Sequence, residues 1–384
     1  MTQRFHHFFA ALLTITDLFT SPGAQAGPRV VFSVDVESNP TYALPKQLDA
    51  VCQDGSACGL MEIVRMLKNS GVSGTFFLNV YELPRWGDAT MRDIAVKLQA
   101  AGQDVALHTH PETAYDSARS EMYQYTLDEQ SSIIRDGVRH LAGWTGRPVV
   151  AHRAGDYSAD EHTLEALKRN GIHVDSSFFW GHPSNRLDGL GLSRNLPSPL
   201  GQLTEIPVTV YAREERPRLL GNLFAPVTTI RKIDADWFID EQEARSAIDA
   251  VAETNSPIIV VFLHSFSFLG EQVGGGTPKL NSHSRDILRA ILDHVREKKF
   301  EVVTMRDIAE WKSVAAPSPD QDIVPKVTVQ VGLHRYFWHR VRAAKTGPTF
   351  VSVILLAFVF GGVGLIAIRR WRSGRNSANP PDIF

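Results

Sequence analysis

Two carboxylates stand at alternate positions in Ser33-Val34-Asp35-Val36-Glu37. They follow Val30-Val31-Phe32, an apolar run that predicts a buried strand. In extended chain, side chains two positions apart leave the same face, so both acids point one way. Like charges held that close repel each other unless a cation or a proton relieves them. Glu37-Ser38-Asn39-Pro40 is also good turn chemistry, so a capped turn is the plain alternative. A second alternating pair, His108 and His110, lies in His108-Thr109-His110-Pro111-Glu112. Imidazoles at this spacing suit two ligands on one metal ion.

Further polar groups follow apolar runs. One is Arg153 in His152-Arg153-Ala154-Gly155-Asp156-Tyr157, a cation that is costly to bury without a carboxylate partner. Another is Asp175, before Ser176 and Ser177. The last is His264, delivered by the wholly apolar Ile258-Ile259-Val260-Val261-Phe262-Leu263. Each has an ordinary role when taken alone: a salt bridge, a turn cap, a satisfied histidine. Polar residues repeated at the ends of apolar strands are harder to explain one at a time.

The elements that must position them alternate. Strands are expected over 29–35, 72–80, 104–108, 149–153, 172–175, 205–210, 258–264 and 301–304. Helical periodicity covers 60–69, 91–101, 127–143, 160–170, 241–253 and 284–298. This alternation argues for one α/β domain over 27–313 with a mostly parallel sheet, closed or nearly closed into a barrel. In such a barrel chemistry gathers at the C-terminal ends of strands, where these polar residues stand.

Composition is that of a globular protein: 384 residues, 43% hydrophobic, 21% charged, net charge −2, which gives no basic footprint for nucleic acid. Residues 1–26 have the order of a secretory signal peptide: Arg4, an apolar segment interrupted by Asp17, then Ala24-Gln25-Ala26. An uncleaved anchor is the alternative. Residues 349–368 carry no charge and are long enough for a transmembrane helix. A basic tail, 369–384, follows and is expected in the cytoplasm, with the main domain outside. Residues 314–331 hold three prolines and read as a linker; 333–345 is basic and aromatic, suited to the headgroup level. The two cysteines, Cys52 and Cys58, suit a small-loop disulfide in an exported domain.

In this order the polar segments resemble the NodB-type polysaccharide deacetylases (carbohydrate esterase family four), over residues 30 to about 307. The resemblance implies a distorted (β/α) barrel of about seven strands, of the glycoside hydrolase/deacetylase type; the transmembrane helix expected at 349–368 lies outside it and is additional. It implies Asp35 as catalytic base, Arg153 holding it, His264 as general acid and Asp175 tuning that histidine. It implies His108 as a metal ligand. The family's usual second aspartate is replaced here by Val36, and Glu37, one residue on, is taken as the ligand. The family's histidines stand four apart, which would put Glu112 at the second place; His110 or Glu112 completes the set. The third segment reads Arg-Ala-Gly-Asp-Tyr where the family commonly has Arg-x-Pro-Tyr.

Tyr157 and Trp180 are the expected substrate contacts, with His182, Tyr115, Tyr123 and Tyr125 as further aromatic candidates. Residues 271–277 form a glycine-rich loop, either a lid or plain surface. The expected activity is metal-dependent deacetylation of N- or O-acetylated polysaccharide or cell-envelope glycan, with a divalent metal, zinc by preference, as cofactor. The alternatives are a deacylase or deformylase of a lipid-linked sugar, and an inactive glycan-binding barrel.

Overall fold

A computed structural model describes residues 27–219, 221–272, 276–311 and 322–343. The leader, span and tail expected at 1–26, 349–368 and 369–384 lie outside the described residues, as does the centre of the 271–277 loop. Among the described residues no helix is long and apolar enough to cross a membrane.

The chain builds β1 (Arg29–Val36), β2 (Thr75–Asn79), β3 (Asp104–Thr109), β4 (Ala151–Ala154), β5 (Val174–Asp175), β6 (Ser198–Leu200), β7 (Leu203–Glu205), β8 (Val210–Pro217), β9 (Val227–Lys232), β10 (Ile258–His264) and β11 (Lys326–Val331). The main sheet runs β10-β1-β2-β3-β4-β5-β7-β6. All its pairings are parallel except β6 with β7. Seven of its eight strands run parallel, and the sheet curls into a half-barrel rather than closing. Between β7 and β10 the ladder gives way to single contacts. Val260 donates its N–H to Thr209 Oγ1 (2.8 Å), and Phe262 exchanges backbone bonds with Ile233 and Ala235.

Alternation along the strands sorts the side chains into two layers. Val31, Phe77, Ala106, Ala151, Val174, Ile258 and Val260, at least one from each of β1 to β5 and β10, form one buried cluster. It contains no residue from the long helices, so it fills the barrel interior. Met305 and Ile308 of the short helix Met305–Ala309 plug its floor. Val30, Phe32, Val34 and Val36 belong instead to the larger outer cluster, with Ile63, Leu67, Ile134 and Ile291 of the surrounding helices. With both faces covered, the strands are apolar without polar alternation until their tips.

Several outer helices follow the sequence pattern closely, including Leu60–Asn69 and Glu241–Glu253. Leu127–Thr145 starts on a capping box at Thr126 and Glu129. Cys52 and Cys58 form a disulfide. Three expectations change. Residues 301–304 make only a bridge, Val30 to Val302, rather than a strand. Of residues 205–210 only Glu205, which ends β7, and Val210, which starts β8, lie in strands. The expected linker contains β11, which pairs with β8 in a small second sheet ordered β11-β8-β9. Val327, Val329 and Val331 alternate with polar residues there, a strand signal masked by the prolines before it.

Candidate metal centre and catalytic rim

Each strand delivers its polar group by the same period of two. On β1 the interior face carries Val31, Ser33 and Asp35, and Glu37 follows in the same phase. Val36 is fully buried on the opposite face. A carboxylate at position 36 would point into the helix layer, whereas Glu37 faces the rim. On β3 the interior phase runs Ala106, His108, His110; on β4 it runs Ala151, Arg153; on β10 it runs Ile258, Val260, Phe262, His264.

Glu37, His108 and His110 place one ligand atom each within 4.8 Å of one another. Glu37 Oε2 lies 3.2 Å from His108 Nε2 and 2.7 Å from His110 Nε2. His108 donates from Nδ1 to the Arg153 carbonyl at 2.9 Å, which turns Nε2 toward the cluster. This N,N,O donor set, with one imidazole oriented by a backbone oxygen, fits a divalent ion such as zinc. Glu112 is not in the cluster: its Oε1 stands 4.0 Å from His110 Nδ1, on the far side of the ring. Burial raises the Glu37 pKa, but the two histidines outweigh it and hold the carboxylate well below its usual range. Burial disfavours a charged His110, yet Glu37 outweighs that and lifts it to about 10.

Asp35 is buried beside the cluster. Arg153, fully buried, donates from one Nη to Asp35 Oδ1 at 2.7 Å. Both Nη atoms reach Ser33 Oγ at 3.2 Å, while Nε and Nη2 bond Ser176 O and Oγ at 3.0 Å. The guanidinium also lies over the Phe77 ring, 4.3 Å from its centroid. The second carboxylate oxygen, Oδ2, faces His108 Nε2 at 3.8 Å. His264 Nε2 stands 3.8 Å from Glu37 Oε1, so Asp35 and His264 both flank the same cluster.

Asp175 does not reach His264. It is on β5 out of phase with the interior residue Val174, and β5 is separated from β10 by four strands. It accepts from His152 Nδ1 (2.8 Å) and Ser177 Oγ (2.7 Å) behind the sheet. Glu205, its partner in the β5–β7 register, has its pKa raised well above normal by burial and by the neighbouring Asp175. His264 is supported instead from the other side. Its backbone N–H donates to Ser267 Oγ (2.9 Å), which donates to Asp236 Oδ2 (2.7 Å). Its ring stacks on Phe266 at 4.6 Å. Burial and the nearby Lys232 ammonium lower its pKa, with Glu37, Asp35 and Asp234 opposing.

Lys232 escaped the sequence reading, since a lysine ending a strand usually reaches water. Here it is buried, bonding Tyr157 Oη (2.9 Å) and Asp234 Oδ2 (3.1 Å) with its ammonium 3.2 Å from the Phe262 centroid. Tyr157 enters this cluster through two successive left-handed residues, Asp156 (φ 49°) and Tyr157 (φ 54°). Its ring packs against Phe179 and His182, so little of it is open to substrate. Trp180 packs on the same group with the Arg194 guanidinium 5.1 Å from its ring centroid. Tyr123 and Tyr125 are covered likewise by Arg186 and Arg119. Tyr115, 42% exposed, donates to Asp136 (2.8 Å).

No family model and no curated protein matches the chain. Solved structures do. A Mycobacterium smegmatis protein assigned as a polysaccharide deacetylase is 18% identical, with 82% of this chain and 97% of that chain covered and a TM-score of 0.49. A family-four carbohydrate esterase from Streptomyces lividans, in complex with acetate, is 12% identical over 77% of this chain and 100% of that chain, TM-score 0.40. A family-four pseudoenzyme from Bacillus anthracis is 13% identical over 74% and 66%, TM-score 0.41.

Proposed function

We propose that the chain is a divergent NodB-type deacetylase, a metal-dependent hydrolase that removes acetyl groups from N- or O-acetylated glycan. The observation that carries this reading is the Glu37–His108–His110 cluster flanked by an arginine-held Asp35 and by His264. A divalent ion held by these three residues would supply Lewis acidity, polarising the acyl carbonyl and acidifying water.

The chain's own groups do the rest. Asp35 accepts the proton of the attacking water. Oδ1 is occupied by Arg153, so Oδ2, the oxygen facing the cluster, is the proton acceptor. Arg153 fixes the carboxylate's direction and balances its charge. His264 gives a proton to the departing nitrogen or oxygen as the acyl bond breaks. Its surroundings make the imidazolium a readier donor than a histidine in water. Acetate and the free amine or hydroxyl leave, and the proton taken by Asp35 balances the one given by His264.

We also propose that the domain is exported and anchored by residues 349–368. The Cys52–Cys58 disulfide supports an oxidising compartment. Flotation of the full chain with vesicles, resistant to alkaline carbonate, tests the anchor.

The catalytic reading is tested by acetate release from acetylated oligosaccharide. Chelation should abolish it and added zinc restore it, while Asp35→Asn and His264→Ala should each lower turnover by about 10²- to 10⁴-fold with metal retained. A protein that binds metal and sugar but releases no acetate would be the inactive glycan-binding barrel instead.

A further inference from the structure

Leu219 and Leu223 are the two most exposed large hydrophobic side chains among the described residues, at 67% and 75%. Both sit at the tip of the hairpin that joins β8 to β9. Scattered exposed leucines are ordinary, but two on one tip beside further apolar groups form a patch. The helix Leu333–Ala343 packs along this tip. Tyr336 Oη and Arg340 Nη1 both donate to the Ala225 carbonyl, at 2.7 and 3.0 Å, and Phe224 packs edge-on against Phe337. Arg218 N–H donates to Val331 O at 2.8 Å, joining the tip to the chain that enters the helix.

Basic residues outnumber acidic ones in the two segments that build the patch. Arg216 and Arg218 come from the hairpin, Arg335 and Arg340 from the helix, and the helix contains no acid. The nearby Glu215 is buried between His339 (2.5 Å) and Arg335 (3.4 Å), and Glu214 is paired with Lys326 (3.1 Å). Exposed leucines on a hairpin and helix rich in arginine match a bilayer whose surface is anionic and whose interior is apolar. The direction of the chain favours that occupant over a protein partner: six residues after this helix comes the uncharged run 349–368.

We propose that the Leu219/Leu223 hairpin tip and the helix Leu333–Ala343 form a face that seats in the headgroup layer of an anionic membrane. This rests on the anchoring proposed above and adds an orientation to it. β9 leads from the tip to Lys232 in the catalytic rim, and its six residues span about 17 Å. The rim is thereby held close above the bilayer, where its substrate would be glycan near the membrane surface.

The test uses the full chain in vesicles of phosphatidylcholine and phosphatidylglycerol. Its only native cysteines are joined in the disulfide, so Leu223→Cys or Leu219→Cys takes a single environment-sensitive fluorophore. Val96→Cys, on the helix Asp88–Ala100, is the control. The expected result is blue-shifted emission and quenching by spin-labelled acyl chains at 219 and 223, with neither at 96. Co-flotation with water-like emission and quenching by aqueous iodide at both tip positions would overturn the docking face while leaving the anchor intact. A blue shift that grows with protein-to-lipid ratio would also overturn it, in favour of a second copy of the chain. Failure to float would overturn anchor and docking face together.

Discussion

Glu37 Oε2 lies 2.7 Å from His110 Nε2, while Val36, its neighbour in the chain, is sealed on the other face of β1. The period of the strand, not the identity of the residue, decides which position can supply the third ligand. This gives a first prediction. Moving the acid one residue back, as Val36→Asp with Glu37→Ala, should not restore metal binding. It should also destabilise the fold by about 3 kcal/mol or more, because the new carboxylate enters the apolar helix layer unpaired. Denaturant unfolding and metal analysis of the double variant check both parts. Metal binding at near wild-type strength would contradict the assignment of faces.

Arg153 ties four strand-end groups into one network: Asp35, Ser33, Ser176 and, through its carbonyl, His108. Arg153→Met keeps the stem's bulk but leaves Asp35 buried without its cation. Unfolding experiments should show a loss of about 3–5 kcal/mol, the range for breaking a buried pair on one side. A loss below about 1 kcal/mol, the range of exposed pairs, would mean the bond contributes little.

Asp175 separates the present site from the role that the family resemblance implies. Asp175→Ala leaves His152 short of its partner and should cost about 1–3 kcal/mol of stability. The pH at which turnover falls as His264 loses its proton should stay where it is in the unaltered protein. A shift of that alkaline limb would restore Asp175 to the catalytic group.

His182 provides a pH test outside the metal cluster. Burial lowers its pKa to about 4, with Asp156 opposing and Lys232 reinforcing. An unfolded histidine titrates near 6.5, so between roughly 6.5 and 4 the unfolded chain binds the extra proton. The stability this group contributes is present above that window and is lost as pH falls through it. His182→Phe keeps the stack on Phe179 and removes the titration. The variant should therefore lose less stability than the unaltered protein between pH 6.5 and 4. Parallel stability curves would show that His182 titrates in the fold as it does in the unfolded chain.

Much of this was legible because both faces of the barrel strands are buried. Apolar runs then end abruptly in the residues of the candidate site, and alternation alone places Asp35 with Glu37 and His108 with His110. Asp175 was misplaced because β5 is only two residues long, too short for its phase to be read from sequence. Lys232 and the Ser267–Asp236 support of His264 come from segments beyond the regular ladder, where no period announces them. The small sheet was missed because β11 pairs with β8 across more than a hundred residues, and the prolines ahead of it mimic a linker.

The most direct test of the account is a calorimetric titration of the metal-stripped protein with zinc. One equivalent should bind, Glu37→Gln should weaken it by about 100-fold or more, beyond what loss of an outer partner typically does, and Glu112→Gln should leave it nearly unchanged. Absence of binding, or binding that survives Glu37→Gln and fails with Glu112→Gln, would contradict the proposed centre.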